Sequence, residues 1–206
     1  MTGNSPALDA SLKRFEGLYP DVIELSLGRI LRALERLGRP QDRLPPVIHV
    51  AGTNGKGSTC AFMRAMAEEA GLSVHVFTSP HLVRFNERIR LAGRLVDDDR
   101  LIGWLDRTFE AIGDGEITHF EATTAAAILA FSEVPADVLI LEVGLGGRFD
   151  ATNVIDAPAL SVITPVDFDH KAFLGSDLRA IAGEKAGIIK PGRPVLTAIQ
   201  RKVCDD

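Results

Sequence analysis

Apolar residues recur along this chain at two different periods, and the change from one to the other marks out its elements. Within residues 21–37, Leu27, Ile30, Leu31, Leu34 and Leu37 follow helical spacing, and Gly38 supplies a stop. RPQDRLPP reads as a prolyl linker, and Pro45–Pro46 lead into VIHVA, a short β-branched run that predicts a strand over Val47–Ala51. A helix is predicted from about Lys56 to Ala70, ended by Gly71, and SVHVFT (73–78) reads as a second strand. A loop, SPHLVRFNE, and a hairpin around Gly93 follow. Asp97 to Asp99 can cap a helix reaching about Ile112, and residues 120–131 form an alanine-rich buried helix. The continuous apolar runs at 137–143 and 160–164 predict two more strands. A helix around 180–189 and a last strand at 194–199 complete the pattern.

Continuous apolar strands alternating with helices predict an α/β fold, a mostly parallel sheet covered on both faces. Ligands of such sheets bind beyond the carboxyl ends of the strands. Each unusual motif falls at such an end: after Ala51, Thr78, Val143 and Thr164. The expected organisation is an N-terminal helix and linker over 1–46, then one domain over 47–206. RKVCDD follows a strand with no closing helix, which predicts a piece of a longer chain.

With 46% hydrophobic and 25% charged residues over 206 positions, the composition is that of an ordinary globular protein. A net charge of −5 gives no footprint for nucleic acid or an anionic membrane. Cys60 and Cys204 lie far apart without partner spacing, which argues against a metal framework or a disulfide scaffold. The N-terminus has no basic region followed by an apolar core, and no apolar run approaches the ~18 residues of a membrane span. A cytoplasmic protein is expected.

The richest motif is AGTNGKGST, between the first strand and its helix. The general phosphate loop is G-x-x-x-x-G-K-[ST]. Here Gly55 and Lys56 supply the G-K pair, but Val50 stands five residues before Gly55, and Gly57 separates the lysine from Ser58. The physics of an anion cradle survives: Gly52, Gly55 and Gly57 let backbone N–H groups turn toward a phosphate at a helix N-terminus. Lys56 can neutralise charge, and Ser58 or Thr59 can offer a hydroxyl to Mg²⁺. Gly144-x-Gly146 begins a dinucleotide fingerprint, but its last position is Phe149, so a nucleotide site of the Rossmann kind is not expected. Glu142 ends an apolar run, where a carboxylate is rarely left unpaired. It either pairs with Arg148 or holds a metal ion.

In this form AGTNGKGST resembles the ATP loop of the folylpolyglutamate synthase and dihydrofolate synthase family, within the Mur ligase superfamily. TSPHLVRFNERI (78–89) resembles that family's omega loop and LEVGLGGRFDATN (141–153) its second signature. Asp169–His170 with Leu174–Gly175, and EKAGI (184–188), complete the set in order. The resemblance covers roughly 23–199.

It implies a central-domain fold of the Mur ligase type and an ATP-dependent ligase that joins L-glutamate to dihydropteroate or a folate through an acyl phosphate. Gly52, Thr53, Asn54, Gly55, Lys56, Gly57, Ser58 and Thr59 would bind ATP. Ser58, Ser79, Glu142, His170 and a carbamylated Lys185 would hold two Mg²⁺ ions, with Lys56, Glu142, His170 and Lys185 as the catalytic set. Phe85, Phe120, Asp150 and Asn153 are candidates for the pterin pocket, the two phenylalanines being equally suited to core packing. Without the resemblance, His170, Ser79 and Lys185 read as ordinary surface or capping residues. Family members have about twice this length, including a C-terminal glutamate-binding domain. The chain is therefore expected to be truncated, to bind Mg-ATP weakly and to carry out no ligation. The resemblance also implies a monomer. Two other classes stay open: a Mur or cyanophycin-type ligase, and a non-catalytic nucleotide-binding module.

Overall fold

Seven strands form one sheet among the described residues (3–18, 26–168 and 175–200) of the computed structural model. They are β1 (Val47–Ala51), β2 (Val74–Phe77), β3 (Ile89–Leu91), β4 (Arg94–Leu95), β5 (Val138–Glu142), β6 (Leu160–Ile163) and β7 (Val195–Thr197). Their spatial order is β4-β3-β2-β5-β1-β6-β7. The five strands from β2 to β7 run parallel, while β3 and β4 pair antiparallel at one edge. The hairpin joining β3 to β4 turns on Ala92 and Gly93, both at positive φ (47° and 83°), the backbone a tight two-residue turn requires.

The described helices are α1 (Pro6–Lys13), α2 (Gly28–Arg36), α3 (Lys56–Glu69), α4 (Asp98–Ile112), α5 (His119–Glu133) and α6 (Leu178–Ala186). Alternation along the strands sends side chains to two cores. Phe77, Leu139 and Leu141 pack with α1, α2, α4 and α5 on one face; Val50, Val74, Val76, Ile140 and Val162 pack with Cys60 of α3 on the other. The five alanines of α5 that are at most 1% exposed (Ala122, Ala125, Ala126, Ala127, Ala130) let this helix sit close to the sheet. A third, smaller cluster joins Ala51, Val143 and Ile163 to Leu178 and Ile181 of α6, at the carboxyl ends of the strands.

The helix expected over 21–37 appears as Gly28–Arg36, its first residues lying outside the described set. Ile30 and Leu34 are buried, but Leu31 is 43% exposed, because only one side of this short helix meets α4 and α5. Helix α1 has a capping signal that the sequence reading passed over: the Ser5 side chain accepts from Leu8 N–H, and Pro6 begins the helix. It packs into the same core as α2, α4 and α5.

Two buried histidines stand in the strands. His49 is fully buried on β1, its Nε2 2.9 Å from Thr152 Oγ1. Burial, reinforced by the charge of Lys190, pulls it from 6.5 down to about 3. Below pH ~6.5 the unfolded chain takes up a proton that the folded chain refuses, so stability falls by about 1.4 kcal/mol per pH unit from this group. Urea unfolding at pH 7 and pH 5.5 measures the loss. His49→Gln is expected to flatten that part of the profile, and an unchanged slope would assign the loss elsewhere.

Candidate functional site

Strand β1 ends at Ala51, and residues 52–55 turn the chain into α3. The helix begins directly after Gly55, whose φ of +84° suits glycine. The turn is held from the side of β6. Thr53 N–H and Asn54 N–H both donate to Pro165 O, at 3.1 and 3.3 Å. Thr53 Oγ1 donates to Asp167 O (2.8 Å) and accepts from Asp167 N–H (3.0 Å). Lys56 folds back over the turn, its Nζ donating to Gly52 O at 3.0 Å and Thr53 O at 3.4 Å. Thr59 N–H bonds back to Gly55 O (2.9 Å). The N–H groups of Lys56, Gly57 and Ser58 precede it and have no carbonyl four residues back inside the helix. Ser58 is exposed and Thr59 half-buried on this first turn.

Two ionisable side chains of opposite sign close on the turn from neighbouring elements. Glu142, at the end of β5 and opposite Val50 of β1, is 3% exposed. Ser79 N–H donates to its Oε2 at 3.3 Å. A Cβ placed on Gly57 would lie 3.9 and 4.0 Å from the two carboxylate oxygens, so the carboxylate faces the first turn of α3. Burial pushes this carboxyl above its ordinary range and Asp150 adds to the push, against the Ser79 N–H and Lys56. From α6, the buried Lys185 donates through Nζ to Gly52 O at 3.1 Å. Gly52 O thus receives both lysines. Arg148 pairs with Glu184 (3.2 Å) and donates to Gly183 O, so the alternative of a Glu142–Arg148 ion pair is not what forms.

The loop over 144–153 is tied internally. Asp150 accepts from Leu145 N–H (2.8 Å), Thr152 N–H (3.0 Å) and Thr152 Oγ1 (2.6 Å), and Asn153 Nδ2 donates to Arg148 O and Gly187 O. Both polar groups therefore brace the loop that follows Glu142, and Asn153 Oδ1 is buried without a partner. Phe120 lies against Gly144 and 6.3 Å from Phe77. Phe85 is 2% exposed, its ring 5.7 Å from His81 and 6.2 Å from His119, with the Arg88 guanidinium 5.1 Å from its centroid. Asp169, His170 and Leu174 fall outside the described residues, as does Cys204; Cys60 is a buried free thiol.

No group of three His, Cys, Asp or Glu side chains converges among the described residues. The donor set nonetheless suits a divalent cation in one respect. Glu142 is a buried carboxylate that receives one long backbone bond, and it faces a helix turn bearing the Ser58 hydroxyl and helix-start amides. Hard oxygen donors beside a phosphate site are the chemistry that holds Mg²⁺. The Pro165–Asp167 brace and the His49–Thr152–Asp150 chain of contacts were not anticipated. Thr152 inside DATN was visible, but nothing in a sequence pairs it with a strand residue 103 positions earlier.

No protein-family model matches the chain. Among curated proteins it is 47% identical over 184 residues to the dihydrofolate synthase/folylpolyglutamate synthase of Bacillus subtilis, covering 86% of this chain and 42% of that protein. It is 41% identical over 185 residues to the Escherichia coli protein of the same name, covering 90% and 43%. The chain thus spans about two-fifths of the length of these relatives. Among solved structures, Escherichia coli FolC in complex with DHPP and ADP superposes with a TM-score of 0.87 at 39% identity, over 94% of this chain and 46% of that one. The Yersinia pestis bifunctional enzyme complexed with AMPPNP and Mn gives 0.88 at 38%, over 97% and 49%. In sequence and in fold alike, the chain matches the N-terminal part of dihydrofolate synthase/folylpolyglutamate synthases.

Proposed function

We propose that the chain is the ATP- and metal-binding part of a ligase that joins L-glutamate to dihydropteroate or a folate. One observation carries the reading: a phosphate-type turn, a buried carboxylate and two lysines from three separate elements converge at the carboxyl ends of adjacent strands. The γ-phosphoryl group of ATP passes to an oxygen of the acceptor carboxylate, ADP leaves, and an acyl phosphate results. The glutamate amine then attacks the acyl carbon, the C–O bond to phosphate breaks, and the amine loses a proton as the amide forms.

Positioning and charge neutralisation dominate phosphoryl transfer. Lys56 swings its Nζ from the loop carbonyls to the γ-phosphate, and the helix-start amides hold the phosphate oxygens. Glu142, Ser58 and Ser79 hold one Mg²⁺. His170 and Lys185, carbamylated, hold a second. A bound divalent ion supplies charge stabilisation at the transferring group and polarises the acceptor carboxylate. Glu142 keeps its place through the Ser79 N–H and the braced loop behind it. Phe85 and Phe120 offer apolar walls for the pterin, while Asp150 and Asn153 act by fixing the loop between them. The protein acts in the cytoplasm as a monomer. No described helix is long and apolar enough to cross a membrane.

Calorimetric titration with ATP tests the reading. Binding is expected with Mg²⁺ present and should weaken at least ~10-fold in EDTA, since a carboxylate facing phosphates repels them without a bridging cation. Metal-independent binding, or none, would sink it. ADP release with dihydropteroate, tetrahydrofolate or a UDP-linked acceptor, measured on a relative-length protein carrying these residues, separates the folate reaction from Mur-type ligation.

A further inference from the structure

The segment joining β2 to β3 carries Ser79, and its outer part has little packing: Leu82 is 92% exposed and Val83 45%. Hydrogen bonds hold it instead. Glu87 closes it from within, its carboxylate accepting from the N–H groups of Leu82 (2.8 Å), Val83 (3.0 Å) and Arg84 (2.8 Å). Thr78 N–H donates to Arg88 O at 3.0 Å and draws the two ends together. The outer bend is pinned by residues just ahead of α1. Asn4 Oδ1 accepts from Phe85 N–H at 2.7 Å, across 81 positions of sequence. Asn4 is oriented in turn by Asp9, to which its Nδ2 donates at 2.9 Å. Beside this contact Asp98, the first residue of α4, accepts from Asn86 Nδ2 (2.8 Å), Arg84 Nη2 (2.9 Å) and the Ser5 hydroxyl.

These contacts tie a loose segment to a firm one. Helix α1 is anchored by Leu8, fully buried like Phe15 just beyond the helix, and by Ser11 and Arg14, which both bond Asp106 of α4. The start of the helix does not need the Asn4 oxygen, because the Ser5 side chain already caps it. That oxygen serves the segment. At the site the hold is weaker: Ser79 N–H meets Glu142 Oε2 at a long 3.3 Å. A stretch with exposed apolar side chains and few buried contacts belongs to the part of a fold that opens most readily. Its position at Ser79 therefore depends on the pin at Phe85.

We propose that Asn4 is a positioning residue for the metal site: by holding Phe85 N–H it keeps the segment over 78–88 where Ser79 reaches a cation held by Glu142. The inference rests on the ligase reading above and adds to it a contact made far from the strand ends. Calorimetry with ATP, in Mg²⁺ and in EDTA, tests it on the unmodified chain, on Asn4→Ala and on the swapped variant Asn4→Asp with Asp9→Asn. Asn4→Ala is expected to weaken Mg-ATP binding about 5-fold, the result of a binding-competent population cut to about one-fifth, and to leave binding in EDTA unchanged. The swapped variant keeps an oxygen for Phe85 N–H and a hydrogen bond between positions 4 and 9, so it should bind like the unmodified chain. Amide hydrogen exchange gives a second readout. Exchange at Phe85 should quicken in Asn4→Ala and slow again at saturating Mg-ATP, but not with ATP in EDTA, because coupling between two sites is reciprocal. Thermal unfolding confirms that each variant folds. Quicker exchange at Phe85 with Mg-ATP affinity unchanged, or a swapped variant as weak as Asn4→Ala, overturns the proposal. Binding to the unmodified chain that ignores the metal rejects the ligase reading and the proposal with it, whereas metal-dependent binding equal in all three proteins rejects the role of Asn4 alone.

Discussion

Lys56→Ala is expected to weaken Mg-ATP binding at least ~100-fold, a loss of about 2.7 kcal/mol, while leaving the fold intact. The ammonium is held at the turn by two carbonyls, Gly52 O and Thr53 O, which are neutral partners that a phosphate can replace. Charge-assisted contact with a dianionic oxygen cluster is stronger than contact with a peptide carbonyl. Alanine removes the cation whose charge acts on the buried Glu142 carboxylate, so the site loses attraction for phosphate. Lys185 does not substitute for it, because its Nζ is buried and bonded to Gly52 O. Lys56→Arg tests shape against charge: it restores the cation, but its rigid fork cannot fold into the turn, so only part of the affinity should return. Calorimetry on the three proteins, with thermal unfolding as the check on folding, reads the result. Affinity within threefold of the unmodified chain would place the phosphates elsewhere.

The sheet was legible because its strands are buried on both faces. Residues 47–51, 137–143 and 160–164 are nearly continuous apolar runs, and they became β1, β5 and β6 within two residues of the expected ends. Capping chemistry made α4 legible, through Asp97, and the alanine-rich run made α5 legible, while the capping box of Thr118 with Glu121 came only with the structure. Helix α1 escaped because eight residues hold too little periodicity to stand out, and its stability comes from packing on α4.

At the site, glycine spacing pointed to the turn, and position at a strand end pointed to Glu142. The identity of its neighbours was not legible. Arg148 is six residues from Glu142 in sequence, yet the 144–153 loop directs it to Glu184 on α6. Asp150 and Asn153 have the polarity of ligand contacts, yet Asp150 accepts within its own loop and Asn153 Nδ2 donates to Arg148 O and Gly187 O. Such choices depend on where a loop is braced, and the braces here (Pro165 and Asp167 on the turn, Gly187 on the 144–153 loop) come from segments remote in sequence.

Gly52→Ala should cost roughly 3–5 kcal/mol of stability and remove nucleotide binding with it, because strain and crowding act at one atom. Gly52 sits at φ +143°, where an L side chain is strained whatever space surrounds it. A Cβ there would also fall 1.9 Å from Thr164 Oγ1, 2.9 Å from its Cβ and 3.0 Å from its carbonyl oxygen. Thr164 has no room to yield: it is buried, its N–H bonds Ala51 O at 2.8 Å, and its hydroxyl donates to the same carbonyl at 3.3 Å. Relief must come from the Gly52 peptide, whose oxygen anchors both Lys56 and Lys185. Moving it displaces the two lysines together. For a chain of this size the loss corresponds to a thermal midpoint lower by roughly 10 °C. Thr164→Ala in the same chain divides the two causes. It deletes the hydroxyl at 1.9 Å but neither the backbone carbonyl nor the dihedral strain, so the double variant should recover only about 1–2 kcal/mol. Full recovery would mean that crowding by the hydroxyl alone excludes a side chain at 52, and no recovery would mean that the hydroxyl contributes nothing beside the backbone conformation and the contacts that remain.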